Sequence, residues 1–106
     1  MKKQVKKAVL AYSGDTGPTD ALEDLARDAD VFLCEATYQG PAPEEYPFHL
    51  SGEQAGAYAA AAGASRLVLT HLWPSMDAGV SAAQAAQTFG GEIVVAESGM
   101  TMEVGK

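Results

Sequence analysis

The chain has 106 residues, a formal net charge of −7, 47% hydrophobic residues and one cysteine. That length allows one domain with a compact core. The apolar content excludes a disordered chain, and the single thiol excludes an internal disulfide. No apolar run approaches the roughly 20 residues of a membrane helix, and no apolar signal core follows the N-terminal lysines, so the expectation is a cytoplasmic protein without a membrane contact.

Charge is unevenly spread. Lys2, Lys3, Lys6 and Lys7 hold four of the seven basic residues, and beyond them only Arg27, Arg66 and Lys106 face all fourteen acids. So acidic a body repels phosphate backbones, which argues against nucleic-acid binding by this chain alone. The segment KKQVKK differs in composition from the rest of the chain and reads as a solvated start to the first strand, with residues 1–7 set aside as engineered or non-native.

In chain order, residues 4–12 read as a strand ending at Gly14. A helix comes next, with Asp20 and Glu23 as a capping pair and Leu22, Leu25, Ala26 and Ala29 on its apolar face. VFLCEA (31–36) is a short continuous apolar run, as in strands buried on both faces. Within it, Cys34 reads as a packed thiol. Residues 38–48 hold three prolines and form a loop. Ser51 and Gln54 make a capping box, with Leu50 positioned to staple onto Ala55, for a helix that stops at Gly63. RLVLTHL (66–72) is a second doubly buried strand. Residues 79–89 form a third helix, EIVVAE (92–97) a strand, and MTMEV (100–104) an alternating edge strand after a turn at Ser98-Gly99. The order predicts an α/β layer with a mostly parallel sheet. Three helices suffice for one face of such a sheet, yet the strands look apolar on both.

In parallel α/β sheets, ligands bind beyond the C-terminal strand ends. Asp15, Glu35 and His71 fall at such ends, and His49 lies in the loop before the second helix. Each has a plainer reading. Asp15 in S-G-D-T-G suits an Asx-turn, Glu35 a surface strand end, His49 a loop edge and His71 a hydrogen-bonded core position. The tyrosines, Trp73 and the methionines read as core or loop packing. Gly14 and Gly17 lack the spacing and lysine of a phosphate loop.

Asp15-Thr16-Gly17 also matches the tripeptide of small dimeric aspartic proteases. Those are nearly all β, whereas here Pro18 and a capped helix come at once, so the context excludes that reading.

Three segments carry a wider resemblance: AYSGDTGPTDALEDLARDADVFLCEATY, HLSGEQAGAYAAAAGASRLVLTHL and FGGEIVVAESGMTMEV. Together they resemble the C-terminal half of metallo-β-lactamase-fold hydrolases, in particular the ribonuclease Z-like branch with its cyclic-nucleotide phosphodiesterase relatives. The resemblance runs from residue 8 through nearly the whole chain. It implies half of an αββα sandwich, with three helices on one sheet face. It also implies that Asp15 bridges two metal ions, Zn²⁺ or Mn²⁺, that His71 is the last histidine ligand, and that His49, supported by Glu35, positions or protonates a scissile phosphate.

The family motif H-x-H-x-D-H is absent, and Asp15 and His71 are fewer than the three protein ligands usual for a catalytic zinc. The expectation is therefore a single half-domain over residues 1–106. It would cover its inner sheet face as a homodimer or against a complementary N-terminal half, and be catalytically incomplete alone. Two alternatives stand beside it: a metal-dependent phosphodiesterase active through a symmetric dimer site or with a complementary half, and a metal-free interaction module.

Overall fold

A computed structural model describes residues 8–40, 48–72 and 76–104. The lysine cluster, the start of the predicted first strand, loop residues 41–47 and Trp73-Pro74 lie outside the described residues. The elements run β1 (Leu10–Tyr12), α1 (Ala21–Ala26), β2 (Val31–Glu35), α2 (Gly52–Ala62), β3 (Arg66–Thr70), α3 (Ala78–Ala86) and β4 (Glu92–Val95). All strand pairs are parallel and the sheet order is β1-β2-β3-β4. This is the α/β layer with three helices that the element order predicts.

Strand alternation divides the apolar residues between two faces. Ala11, Phe32, Cys34, Leu67 and Leu69 join Leu22, Ala26, Ala55, Ala59 and Ala85 in one core on the helix side. Val31 and Val68 point to the opposite side and are also buried, whereas Leu10 and Tyr12 on that side are each 55% exposed. Leu10, Val31, Leu33 and Val68 line a groove of about 250 Å³ with Met100, Met102 and Val104. The C-terminal segment thus crosses the second face, and Arg66 holds it by donating to the Glu103 carbonyl at 3.1 Å.

The best-specified helix is α2. Ser51 accepts from the Gln54 amide, Gln54 accepts from the Ser51 amide, and Gly63 ends the helix at φ 74°, where a left-handed residue is needed. Its buried stripe is Gly52, Ala55, Gly56, Ala59 and Ala62. The small residues permit close packing: a Cβ at Gly52 would meet the Ser81 carbonyl oxygen at 2.7 Å, and one at Gly56 would meet the Ala85 carbonyl oxygen of α3.

Three sequence expectations are corrected. Asp20 has helical φ/ψ and its side chain caps nothing; instead Thr19 Oγ1 accepts weakly from the Ala21 amide at 3.4 Å. Leu25 is 48% exposed rather than part of the buried face, because α1 lasts only six residues and packs through Leu22 and Ala26. Residues 100–104 form no strand; the Ser98-Gly99 turn is present, with Gly99 at φ 82° and the Met100 amide donating to the Glu97 carbonyl. Shorter differences are that β3 stops at Thr70, β4 at Val95 and α3 at Ala86.

Candidate functional site

The C-terminal ends of β1, β2 and β3 converge on one buried carboxylate. Glu35, the last residue of β2, is 1% exposed, which excludes the surface strand-end reading. Its Oε1 accepts from the Thr16 amide at 2.7 Å and meets His49 Nδ1 at 3.0 Å. Its Oε2 accepts from the Thr37 hydroxyl at 2.7 Å and the Leu50 amide at 3.3 Å. A carboxylate has about four lone-pair sites, and all are used. Burial pushes the Glu35 carboxyl up, but the hydrogen bonds from Thr37, Thr16, His49 and Leu50 outweigh it and hold the group below the usual carboxylate range.

The turn after β1 delivers Asp15. Gly14 adopts φ 63°, a left-handed conformation that turns the chain sharply beyond β1. Ser13 Oγ accepts from the Glu35 amide at 3.0 Å and donates to the Gly14 carbonyl, tying this turn to β2. The Asp15 carboxylate is 62% exposed and lies 3.5 Å from His71 Nε2. Among the described residues it makes no bond to the backbone of its own turn, so the Asx-turn reading is not what the geometry shows.

His71 follows β3 with φ 65°, an uncommon conformation for a residue with a Cβ. Its Nδ1 stands 2.8 Å from Thr37 Oγ1. The His49 ring stacks on the His71 ring at a centroid distance of 5.4 Å and 25° between planes, and Tyr38 meets His49 edge-on. Donor atoms of Glu35, His49 and His71 lie within 4.8 Å of one another, a grouping of a kind that could hold a metal ion.

The donor set narrows which residues suit a metal. With every Glu35 lone pair engaged, that carboxylate is a poor ligand. Each histidine points Nδ1 into the hydrogen-bond network, which leaves Nε2 as the outward nitrogen; that of His71 faces Asp15. A carboxylate oxygen and an imidazole nitrogen suit zinc or manganese. Asp15 and His71 therefore fit two positions around such an ion.

All four residues singled out in the sequence, Asp15, Glu35, His49 and His71, meet at this edge. The sequence reading missed Thr37, which is fully buried and links Glu35 to His71. Its signal was its place two residues after Glu35, where strand alternation returns a side chain to the same face. Trp73 lies outside the described residues. Cys34 is buried, and burial pushes its thiol up to about 12, with a hydrogen bond to Ser13 acting the other way; it is the inert packed thiol that its apolar surroundings imply.

Comparison with known proteins agrees with this arrangement. The beta-lactamase superfamily domain matches residues 4–72. An uncharacterized protein of Mycobacterium leprae is 44% identical over 99 residues, covering 92% of this chain and 34% of that protein. The ribonuclease Z of Myxococcus xanthus is 38% identical over 99 residues, covering 90% of this chain and 32% of the enzyme. YhfI, a metallo-beta-lactamase fold protein from Bacillus subtilis, superposes with a TM-score of 0.80 at 27% identity, covering 86% of this chain and 38% of that one. The chain spans about a third of the length of the curated relatives it matches. With the family match over residues 4–72 and a sheet and helices that superpose on YhfI, the chain belongs to the beta-lactamase superfamily, with the metallo-β-lactamase fold and ribonuclease Z among its relatives.

Proposed function

We propose that this chain is a metal-binding half-domain of a phosphodiester hydrolase. It supplies Asp15 and His71 as metal ligands and His49 as the proton-transfer group. The observation that carries the reading is the convergence of Asp15 and His71 from two strand ends with His49 from the loop before α2, both imidazoles being anchored on Glu35, directly or through Thr37.

A bound zinc or manganese ion would supply charge neutralisation for a phosphodiester and a more acidic water. The chain's own residues supply the rest. His49 is held by Nδ1–H donation to Glu35, so Nε2 is the atom that takes or gives a proton at the scissile group. The Glu35 carboxylate, through that contact, holds the His49 ring in place. Tyr38 and His71 pack against the ring and limit its rotation.

Asp15 and His71 leave the ion short of the three protein ligands usual at a catalytic zinc. The missing donors would come from a second copy or a complementary half, seated on the sheet face that carries Leu10 and Tyr12, both more than half exposed. Of these, the homodimer is the simplest arrangement, with little or no catalysis by the chain alone.

Two measurements on the purified chain test this. Light scattering should give a dimer, and a monomer at high concentration would remove the homodimer. Hydrolysis of bis(p-nitrophenyl) phosphate with added zinc or manganese should be slow or absent, with any turnover lost in Asp15→Ala and His49→Ala. Turnover unchanged in both variants would overturn the site assignment. Absence of metal binding would favour a metal-free interaction module.

A further inference from the structure

Thr37 has a hydroxyl with one hydrogen and three neighbours. Oγ1 is 2.7 Å from Glu35 Oε2, 2.8 Å from His71 Nδ1 and 3.3 Å from the His71 carbonyl oxygen. Two of these, the carboxylate and the carbonyl, are acceptors only. The third is a ring nitrogen whose role depends on where its proton sits. If the hydroxyl gave its hydrogen to Nδ1, Oγ1 and Oε2 would face each other at 2.7 Å with no hydrogen between them, in a site that is 1% exposed at Glu35 and 0% at Thr37. Such a buried pair of acceptors is strongly unfavourable. The hydrogen therefore goes to Glu35 Oε2, and Oγ1 offers His71 Nδ1 only a lone pair.

We infer that Thr37 is a positioning residue: its hydroxyl, oriented by Glu35, fixes His71 in the Nδ1–H tautomer and so presents the Nε2 lone pair to the Asp15 side, ready for a metal. Residues that ligate metals through one imidazole nitrogen commonly donate the other N–H to a fixed acceptor, which sets the tautomer and the ring angle. Here the acceptor is a threonine hydroxyl that is itself held by a carboxylate. Glu35 thus sets both histidines, His49 by direct contact and His71 through Thr37. His71 stands just past β3 with a left-handed backbone, and Thr37 meets its ring there.

The tautomer belongs to the metal-free chain; only its use for a ligand rests on the proposed metal site. Long-range ¹H–¹⁵N spectra of the imidazoles, recorded without metal at about pH 8.5, above the ordinary imidazole range, read it directly. His71 should show a pyridine-type Nε2 and a protonated Nδ1. Thr37→Val keeps the shape but removes the acceptor, and His71 should shift to the Nε2–H form or a mixture. Thr37→Ser should restore the wild-type signature, and His49 should keep its own in all three. Zinc titration should show affinity reduced about 10–100-fold in Thr37→Val and near wild type in Thr37→Ser.

A wild-type His71 protonated at Nε2, or a His71 signature unchanged in Thr37→Val, would overturn the inference. The wild-type spectrum decides even if Thr37→Val does not fold. Wild-type protein with the expected tautomer but no zinc binding would support Thr37 as the tautomer-setting group while removing the metal reading of the site.

Discussion

His49 and His71 stack with their ring centroids 5.4 Å apart, and both turn Nδ1 toward the same buried acid: His49 touches Glu35 directly, His71 through the Thr37 hydroxyl. Three strand ends and the start of α2 are joined by that one side chain. Glu35 is therefore as much a structural joint as a part of the chemistry.

Removing its charge should be costly. In Glu35→Gln, an amide NH₂ must face donors that now meet a carboxylate oxygen, so at least one buried donor loses its partner. The expected loss is about 2–3 kcal/mol at neutral pH, read from urea unfolding. The pH dependence has a definite sign. Because the folded state holds the Glu35 carboxyl below its ordinary value of 4.5, its contribution is complete above the unfolded value and is lost as pH falls through the folded one. The stability gap between wild type and Glu35→Gln should narrow in acid. A variant within about 0.5 kcal/mol of wild type at pH 7 would contradict the hydrogen-bond assignment.

The backbone at His71 offers a second check. A residue with a Cβ at φ 65° carries strain that glycine does not. Both His71→Gly and His71→Ala lose the ring, so their difference isolates the backbone. His71→Gly should be the more stable of the two by about 1 kcal/mol in thermal or urea unfolding, against the usual advantage of alanine.

Cys34 should be silent. It is fully buried and its thiol is pushed up to about 12, so almost no thiolate forms near neutral pH. Iodoacetamide should leave the native protein unmodified and label it fully in denaturant, as mass spectrometry would show. Rapid native labelling would mean that β2 is far more open than its packing indicates.

The capping box at α2 was legible in the sequence because its signal is local: Ser51 and Gln54 satisfy each other's backbone whatever lies elsewhere. Ser51→Ala should cost about 1 kcal/mol of unfolding free energy. At Asp20 and Glu23 the same spacing misled. The Asp20 backbone is itself helical, so its side chain cannot reach the first free amides, and spacing alone does not report φ and ψ.

The succession of strands and helices along the chain and the small-residue face of α2 were readable for a related reason. Apolar runs and small-residue stripes state what a segment must bury. Residues 100–104 alternate as a strand does, but alternation names a face, not a partner, and among the described residues no strand pairs with them. Asp15, Glu35 and His71 could be placed because each falls at a strand end and parallel topology gathers strand ends, with His49 in the loop that leads into α2. Thr37 stayed hidden because a threonine announces no chemistry until a carboxylate and an imidazole are seen on either side of it.

Asp15 and His71 are proposed to hold a metal ion. The most direct test is zinc and manganese per chain by elemental analysis after dialysis, on wild type and Asp15→Ala. About one ion per chain or per dimer, lost in Asp15→Ala, is the predicted result. No ion in either protein, or equal amounts in both, would contradict it.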